Sequence, residues 1–188
     1  MREQVKQYFI TLYQGVPQDA YEGILSIFCV GAVLFFAWKG GKMGLRYSVS
    51  LLLIGYIFLI FCSTVIFRAT VAIKRYDFHP FWSYSRPDLL VENIMNVIVF
   101  IPIGLLLTIV FRQMTWWKAL LIGCGISVTI EALQFFLMRG FAEFDDVMHN
   151  TMGCLIGYVI MTILRLLYKT RYKNGRKKAN LSLSGSHE

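Results

Sequence analysis

The chain has 188 residues, of which 56% are hydrophobic and 16% are charged, and its formal net charge is +8. A soluble domain of this length does not need so large an apolar fraction, so the composition argues against a soluble enzyme or a soluble binding module. Lipid is therefore the expected environment for most of the chain, and a helix needs about 20 mostly apolar residues to cross it.

An amphipathic N-terminal segment, residues 1–20, comes first, and its pattern suits the membrane interface because Val5 and Phe9 oppose Arg2 and Lys6. Five apolar runs follow, and we predict transmembrane helices over residues 24–38, 47–67, 93–111, 116–138 and 147–168. The runs are continuous rather than alternating, which favours helices over barrel strands. The predicted fold class is all-α, a polytopic bundle of about five transmembrane helices within residues 21–168.

The basic tail, residues 169–188, indicates how the bundle lies in the membrane. Seven cations close the chain: Arg165, Lys169, Arg171, Lys173, Arg176, Lys177 and Lys178. Short loops and tails rich in Lys and Arg stay in the cytoplasm, so we predict a plasma-membrane protein with its N-terminus outside and its C-terminus cytoplasmic. The tail also suits anionic membrane lipids. No nucleic-acid-binding fold accompanies it, so nucleic acid is not an expected partner.

The four cysteines, Cys29, Cys62, Cys124 and Cys154, all fall in predicted spans. Their separations match no metal-ligand spacing, and free cysteine packs well as a small apolar residue. The sequence therefore predicts neither a resident metal nor a cofactor.

Glu131 is the clearest polar residue inside a span. A charged side chain at the centre of a bilayer costs about 2.5 to 3.5 kcal/mol on insertion scales, so it usually has a partner or a function. Gln134 lies one turn further along the same face of the helix, and Ala119, Gly123 and Ser127 repeat on that face every four residues. Small residues at this spacing let helices approach closely, which places Glu131 and Gln134 inside the bundle.

The third and fifth spans carry similar polar residues near their beginnings. Asn93 and Asn96 open the third span, while Asp146 and Asn150 open the fifth, with Asp145 and His149 beside them. Further along the fifth span, residues 153–157 form a G-x-x-x-G packing surface.

These polar residues should lie at one depth in the membrane. The third and fifth spans begin at the same membrane face at which the fourth span ends, and the polar residues lie near those beginnings and near that end. Arg68 and Arg139 lie at the same level, and so does the aromatic loop at residues 77–84. The predicted binding residues are Arg68, Asn93, Asn96, Glu131, Gln134, Arg139, Asp146 and Asn150. The simpler alternative is that they are interhelical hydrogen bonds and an ion pair that hold the bundle together. The aromatic loop is likewise open to two interpretations, a wall of the site or an interfacial belt.

Residues 96–104 read N-x-x-x-F-x-P-x-G, residues 131–134 read E-x-x-Q, and residues 139–157 end in D-D-x-x-x-N-T-x-G-x-x-x-G. These three segments resemble the VanZ-like family, whose signature at the place of residues 139–157 is R-x-F-D-x-D-D-x-x-x-N-T-x-G-x-x-x-G. Glu143 stands where the family usually has an aspartate. The resemblance covers about residues 68–168 and implies a bacterial membrane protein with a role in resistance to teicoplanin and related lipoglycopeptide antibiotics.

Two hypotheses follow for the mechanism. In the first, the bundle binds an amphiphile at the outer leaflet without chemistry, either a lipid-linked peptidoglycan precursor or the lipoglycopeptide antibiotic. In the second, it is a membrane-embedded hydrolase or transferase acting on a polyprenyl-linked substrate or a phospholipid, with Glu131, Asp145, Asp146 and His149 as catalytic or metal-binding residues. No hydrolase or phosphatase signature is present, and a transporter fits poorly because there is no internal repeat. The oligomeric state is left open.

Overall fold

The computed structural model describes residues 18–85 and 87–184. The five predicted helices are present, although their bounds differ from the expected ones. They are α1 (Gln18–Lys39), α2 (Gly41–Phe61), α3 (Pro87–Val110), α4 (Trp116–Leu137) and α5 (Phe144–Ser184). The predicted amphipathic segment lies outside the described residues, except for the turn that opens α1.

Each helix is long and apolar enough to cross a membrane. The candidate spans in the described part of the chain are Glu22–Lys39, Gly44–Ile66, Leu89–Val110, Trp116–Leu137 and Phe144–Lys173. Large apolar side chains such as Ile27, Ile54 and Leu166 point away from the bundle and are more than half exposed. Outward apolar faces of this kind are stable only when lipid covers them, so the chain is a multi-pass membrane protein.

α1 and α2 form an antiparallel hairpin with almost no connecting loop. Gly40 and Gly41 reverse the chain at φ values of 59° and 55°, where a side chain would be strained. Ser48 on α2 donates a hydrogen bond to the carbonyl of Ala32 on α1 at 2.7 Å. Only 6% of the α1 span is buried, so α1 is a peripheral helix that packs mainly on α2.

α3 and α5 pack against each other most closely of all the helices. An ideal Cβ on Gly104 of α3 would lie 2.0 Å from the carbonyl oxygen of Cys154, and one on Gly157 of α5 would lie 2.1 Å from that of Ile101. Gly153 meets the carbonyl of Val97 in the same way, at 2.2 Å. The predicted packing role of residues 153–157 is confirmed.

α4 joins this pair through its stripe of small residues. Ala119 and Ser127 are fully buried, and a Cβ on Gly123 would lie 2.7 Å from the Cβ of Cys154. Phe100, Ile103 and Ile130 complete the core between α2, α3, α4 and α5. The core therefore lies among the four helices that carry the predicted site residues.

Two connections close one end of the bundle. After α2, the chain continues as a π-helix over Cys62–Ile66 and then forms strand β1 (Arg75–Asp77). β1 pairs in parallel with β2 (Phe141–Glu143), and Tyr76 faces Ala142 in the register. A 3-10 helix, Trp82–Ser85, then leads towards α3. The all-α prediction missed this small ladder, since three-residue strands have no detectable period.

The basic tail differs from its predicted form. α5 was expected to end near residue 168, yet it continues without a break to Ser184. The cations of this segment are therefore carried on an extension of the transmembrane helix. Lys, Arg and Leu are good helix formers, which explains why the helix does not stop where the apolar run does.

Candidate functional site

The predicted polar residues converge at one end of the bundle, which we call the polar end. It comprises the π-helix, the first turns of α3 and α5, the last turns of α4, and the two closing connections. Four of the eight predicted binding residues are buried there: Asn93, Glu131, Gln134 and Asn150 are each less than 9% exposed. Asn96 and Asp146 are half-buried at the same level.

Two of the asparagines join α5 to its neighbours. Asn96 donates from Nδ2 to Oδ1 of Asp146 at 2.7 Å, linking α3 to α5. Asn150 donates from Nδ2 to the hydroxyl of Ser127 at 2.8 Å, linking α5 to α4. These contacts agree with the simpler interpretation of the polar residues as interhelical hydrogen bonds.

Two buried amide oxygens nevertheless accept no hydrogen bond among the described residues. They are Oε1 of Gln134 and Oδ1 of Asn150. The amide nitrogen of Gln134, Nε2, does have a partner, since it donates to the carbonyl of Thr64 at 3.1 Å. A buried acceptor without a donor costs about 1 to 3 kcal/mol. The hydrogen-bonding capacity of the polar end thus exceeds what its internal pairs use.

Asp145 and His149 fasten the aromatic loop. The Asp145 carboxylate is fully buried and accepts hydrogen bonds from the backbone N–H of Phe81 at 2.7 Å and from the N–H of Ser83 at 3.1 Å. The Ser83 hydroxyl donates to the same carboxylate and accepts from Asn93.

The imidazole of His149 has both of its nitrogens in contact with partners. Nδ1 lies 2.6 Å from the carbonyl oxygen of Asp145, which can only accept, so Nδ1 carries the proton. Nε2 then accepts from the Tyr84 hydroxyl at 3.0 Å. In this arrangement both residues hold the aromatic loop, Asp145 through residues 81 and 83 and His149 through Tyr84.

Arg139 is also engaged with the backbone. One of its terminal nitrogens, Nη1, donates to the carbonyls of Ile66 and Arg68 at 3.2 Å and 2.6 Å. Ile66 is the last residue of the π-helix and Arg68 lies just beyond it, where the helical hydrogen-bond ladder ends, so Arg139 caps that end. It was predicted as a ligand-binding residue, and the structure gives it a capping contact.

Arg68 is arranged differently. Its side chain is exposed, and its guanidinium lies against the backbone of Gly140, where an added Cβ would come within 2.7 Å of Cζ. The charge of Arg68 acts on three carboxylates: Glu131, Glu143 and Asp146. Among the described residues, none of these lies within ion-pair distance of it, and no side chain accepts a hydrogen bond from it. Arg68 therefore presents a guanidinium that can still bind an anion.

Glu143 also belongs to this group, although in the sequence it stands out only as a departure from the family's usual aspartate. It ends β2, and its backbone N–H donates to Oε2 of Glu131 at 3.0 Å. Burial, followed by the charges of Asp146, Glu92 and Asp145, raises the pKa of Glu143 from 4.5 to about 8, and Arg68 opposes this shift. Its position directly before Phe144 and two consecutive aspartates is the signal that could have identified it.

The raised pKa of Glu143 predicts a pH dependence of stability. A carboxyl whose pKa is higher in the folded state binds more protons there, so its contribution to stability is present below about pH 4.5 and is lost as the pH rises through about 8. We expect the unfolding temperature of the wild type to fall across this window, and that of Glu143→Gln to fall less. A thermal unfolding series measures the difference, and two parallel curves would contradict the assignment.

Metal binding has no support in the described part of the chain, where no three His, Cys, Asp or Glu side chains gather closely enough to hold an ion. The polar end is therefore a cluster of amides and carboxylates beside one open guanidinium. Such a cluster can bind a polar headgroup whose anionic group contacts Arg68 and whose hydrogen-bond donors contact the carboxylates.

Comparison with known proteins gives two matches. A family model described as VanZ/LLP1 matches residues 24–165, which is most of the chain. Protein VanZ of Enterococcus faecium is 38% identical over 66 residues, covering 35% of this chain and 41% of that relative. The match thus spans about two fifths of the length of the curated relative. No solved structure matches the chain.

Proposed function

Because this chain belongs to the VanZ/LLP1 family, we propose that it protects its cell against teicoplanin and related lipoglycopeptide antibiotics by binding an amphiphile at the polar end. The amphiphile is the antibiotic or a lipid-linked cell-wall precursor. Both would join a membrane-embedded tail to a polar headgroup, which fits a site at the end of a transmembrane bundle.

One observation carries this proposal: the exposed guanidinium of Arg68 is near enough for its charge to act on three carboxylates, yet it lies within ion-pair distance of none of them in the described chain. Because Arg68 makes no ion pair with these acids within the described residues, its guanidinium can contact an anionic group of a ligand. Glu131 and Glu143 would accept hydrogen bonds from hydroxyl or amide donors of the ligand.

The distribution of charge supports an outward-facing polar end. Seven of the eleven acidic residues occur in the segments that build this end: Asp77, Asp88, Glu92, Glu131, Glu143, Asp145 and Asp146. The opposite end of the bundle carries Arg46, Arg112, Lys118 and the extension of α5. The positive end belongs in the cytoplasm, so the ligand would be reached from the outer leaflet. A membrane-impermeant maleimide should therefore not label a Lys173→Cys variant in intact cells. Labelling would contradict this orientation, because it would place the extension of α5 outside the cell.

The test is a susceptibility measurement with Arg68→Gln. A charge-assisted hydrogen bond contributes about 1.5 to 3 kcal/mol, so the variant should bind its ligand roughly ten- to a hundredfold more weakly. In a teicoplanin-susceptible Gram-positive host, we expect wild-type protein to raise the minimal inhibitory concentration and Arg68→Gln to return it to the empty-vector value.

The matched control is Lys74→Gln. Lys74 is exposed at the same end, but its ammonium lies over the Phe135 ring at 5.0 Å rather than before the carboxylates. The control should protect the host as the wild type does, at equal amounts in the membrane. Full protection by Arg68→Gln would contradict the proposed site.

The enzymatic alternative can be tested with the same purified proteins. It relies on Glu131, Asp145, Asp146 and His149, of which Asp145 and His149 also anchor the aromatic loop. Incubation of purified protein with lipid-linked precursor, followed by mass spectrometry, should recover the precursor unchanged. A new product that disappears with Glu131→Gln would favour a hydrolase or transferase instead.

A further inference from the structure

A second site is indicated at the opposite end of the bundle. A cavity of about 620 Å³ lies between the start of α2, the connection from α3 to α4, and the first turns of α4. Its cationic residues are Arg46, Arg112 and Lys118. We call it the basic cavity. It shares no residue with the polar end, so the following inference is independent of the proposed function.

The charge of the basic cavity is not compensated by the protein. None of its lining residues is acidic, and the sequence has no Asp or Glu between positions 23 and 76 or between 93 and 130. In the described chain, no carboxylate forms an ion pair with any of its three cations. Lys118 has one long contact, at 3.4 Å, to the carbonyl of Gln113.

The beginning of α4 adds to the same field. Thr115 occupies the N-cap position without a side-chain capping bond, and its buried hydroxyl has no hydrogen-bond partner among the described residues. The first turn of a 22-residue helix carries partial positive charge from its unpaired N–H groups. An anion in the basic cavity is therefore favoured by three side chains and by the adjacent helix end.

The other walls of the basic cavity are apolar. Phe111, Trp117 and Leu121 line it, and each is more than two fifths exposed on a helix or helix end that faces lipid. Trp and Phe at the end of a span occupy the headgroup level of a membrane. An anionic group at the three cations would thus have a hydrocarbon chain beside it, against these rings.

From this combination we propose that the basic cavity binds an anionic phospholipid, with the phosphate at Arg46, Arg112 and Lys118 and an acyl chain along Phe111, Trp117 and Leu121. A zwitterionic lipid is disfavoured because no carboxylate is present to contact its cationic headgroup. Lipid held here would pin the start of α2 to the start of α4.

The test is native mass spectrometry of the full chain released from nanodiscs containing equal amounts of phosphatidylglycerol and phosphatidylcholine. We expect the wild type to retain phosphatidylglycerol with a preference of at least about tenfold. The Arg46→Gln/Arg112→Gln/Lys118→Gln variant should lose that preference. The matched control, Lys169→Gln/Arg171→Gln/Lys173→Gln, removes the same charge from the extension of α5 and should keep it.

A second measurement covers the case in which the triple variant does not fold. Arg112 is exposed in the connection between α3 and α4, so Arg112→Glu should leave the fold intact. Brominated phosphatidylglycerol should quench the fluorescence of the wild type, and Trp117→Phe or Arg112→Glu should reduce that quenching. Equal retention by both triple variants, equal quenching in Arg112→Glu, or displacement of the lipid by millimolar inorganic phosphate would overturn the proposal.

Discussion

The Gly104→Ala substitution is expected to be the most destabilising single change in the bundle. The new methyl group would lie 2.0 Å from the carbonyl oxygen of Cys154, and a backbone atom cannot rotate away as a side chain can. α3 and α5 would have to separate, which exposes the core around Phe100 and Ile103. Overpacking a core commonly costs about 1 to 3 kcal/mol, and a clash with backbone belongs at or above the upper end.

The chain's own cysteines provide the measurement. Cys62 and Cys154 are buried and react with a fluorogenic maleimide only when the bundle opens. Cys29 is exposed and Cys124 is partly exposed, so both are replaced by serine in every protein compared. The unfolding temperature of Gly104→Ala should fall by roughly 10 °C or more. Gly125→Ala is the control, since a Cβ there meets nothing within 4 Å. If the two variants unfold at the same temperature, the α3–α5 interface is not as close as described.

The second large effect concerns the loop over the polar end. Asp145→Ala removes the acceptor for two backbone N–H groups and the Ser83 hydroxyl, all within a buried site. Phe81 is held at a φ of 64°, a conformation that a bulky residue keeps only when its surroundings impose it. We expect the loop to detach, because losing hydrogen bonds to a buried charge costs about 3 kcal/mol or more.

Hydrogen exchange at residues 81–85 measures this effect. Their amides should exchange at least about a hundredfold faster in Asp145→Ala, in line with that loss of free energy. Asp77→Ala is the matched control. Asp77 ends β1, and its carboxylate accepts hydrogen bonds from His79 two residues later, so its loss should leave residues 81–85 protected. Unchanged exchange in Asp145→Ala would show that the loop is held by other contacts.

The transmembrane architecture could be predicted from the sequence because lipid imposes a simple requirement. Each span must be long and apolar, and four of the five predicted runs satisfied that length rule. The run at residues 24–38 was shorter, whereas the span in the structure is Glu22–Lys39. The helix bounds differ from the predicted ones where the apolar run and the helix end for different physical reasons. α5 continues to Ser184 because helix propensity persists after hydrophobicity ends, and α2 begins at Gly41 because two glycines allow an immediate reversal.

The membership of the polar end could also be predicted, but not the partners. Helical spacing placed Asn96, Glu131 and Asn150 on inward faces, which the structure confirms. Which acceptor each amide reaches depends on the rotation and offset of whole helices, and no periodicity records these. The contact between Asp145 and the aromatic loop could not be predicted for the same reason, since Asp145 and Phe81 lie more than 60 residues apart in the sequence.

The most direct test of the account is the affinity of teicoplanin, and separately of lipid-linked precursor, for the protein in nanodiscs. We predict saturable binding of at least one of them to the wild type. Binding should be weakened at least about tenfold in Arg68→Gln, as expected for loss of one charge-assisted contact. Arg112→Gln, at the other end of the bundle, should bind as the wild type does. Equal affinity of wild type and Arg68→Gln for both ligands, or the absence of saturable binding, would contradict the proposal that the polar end holds an amphiphile.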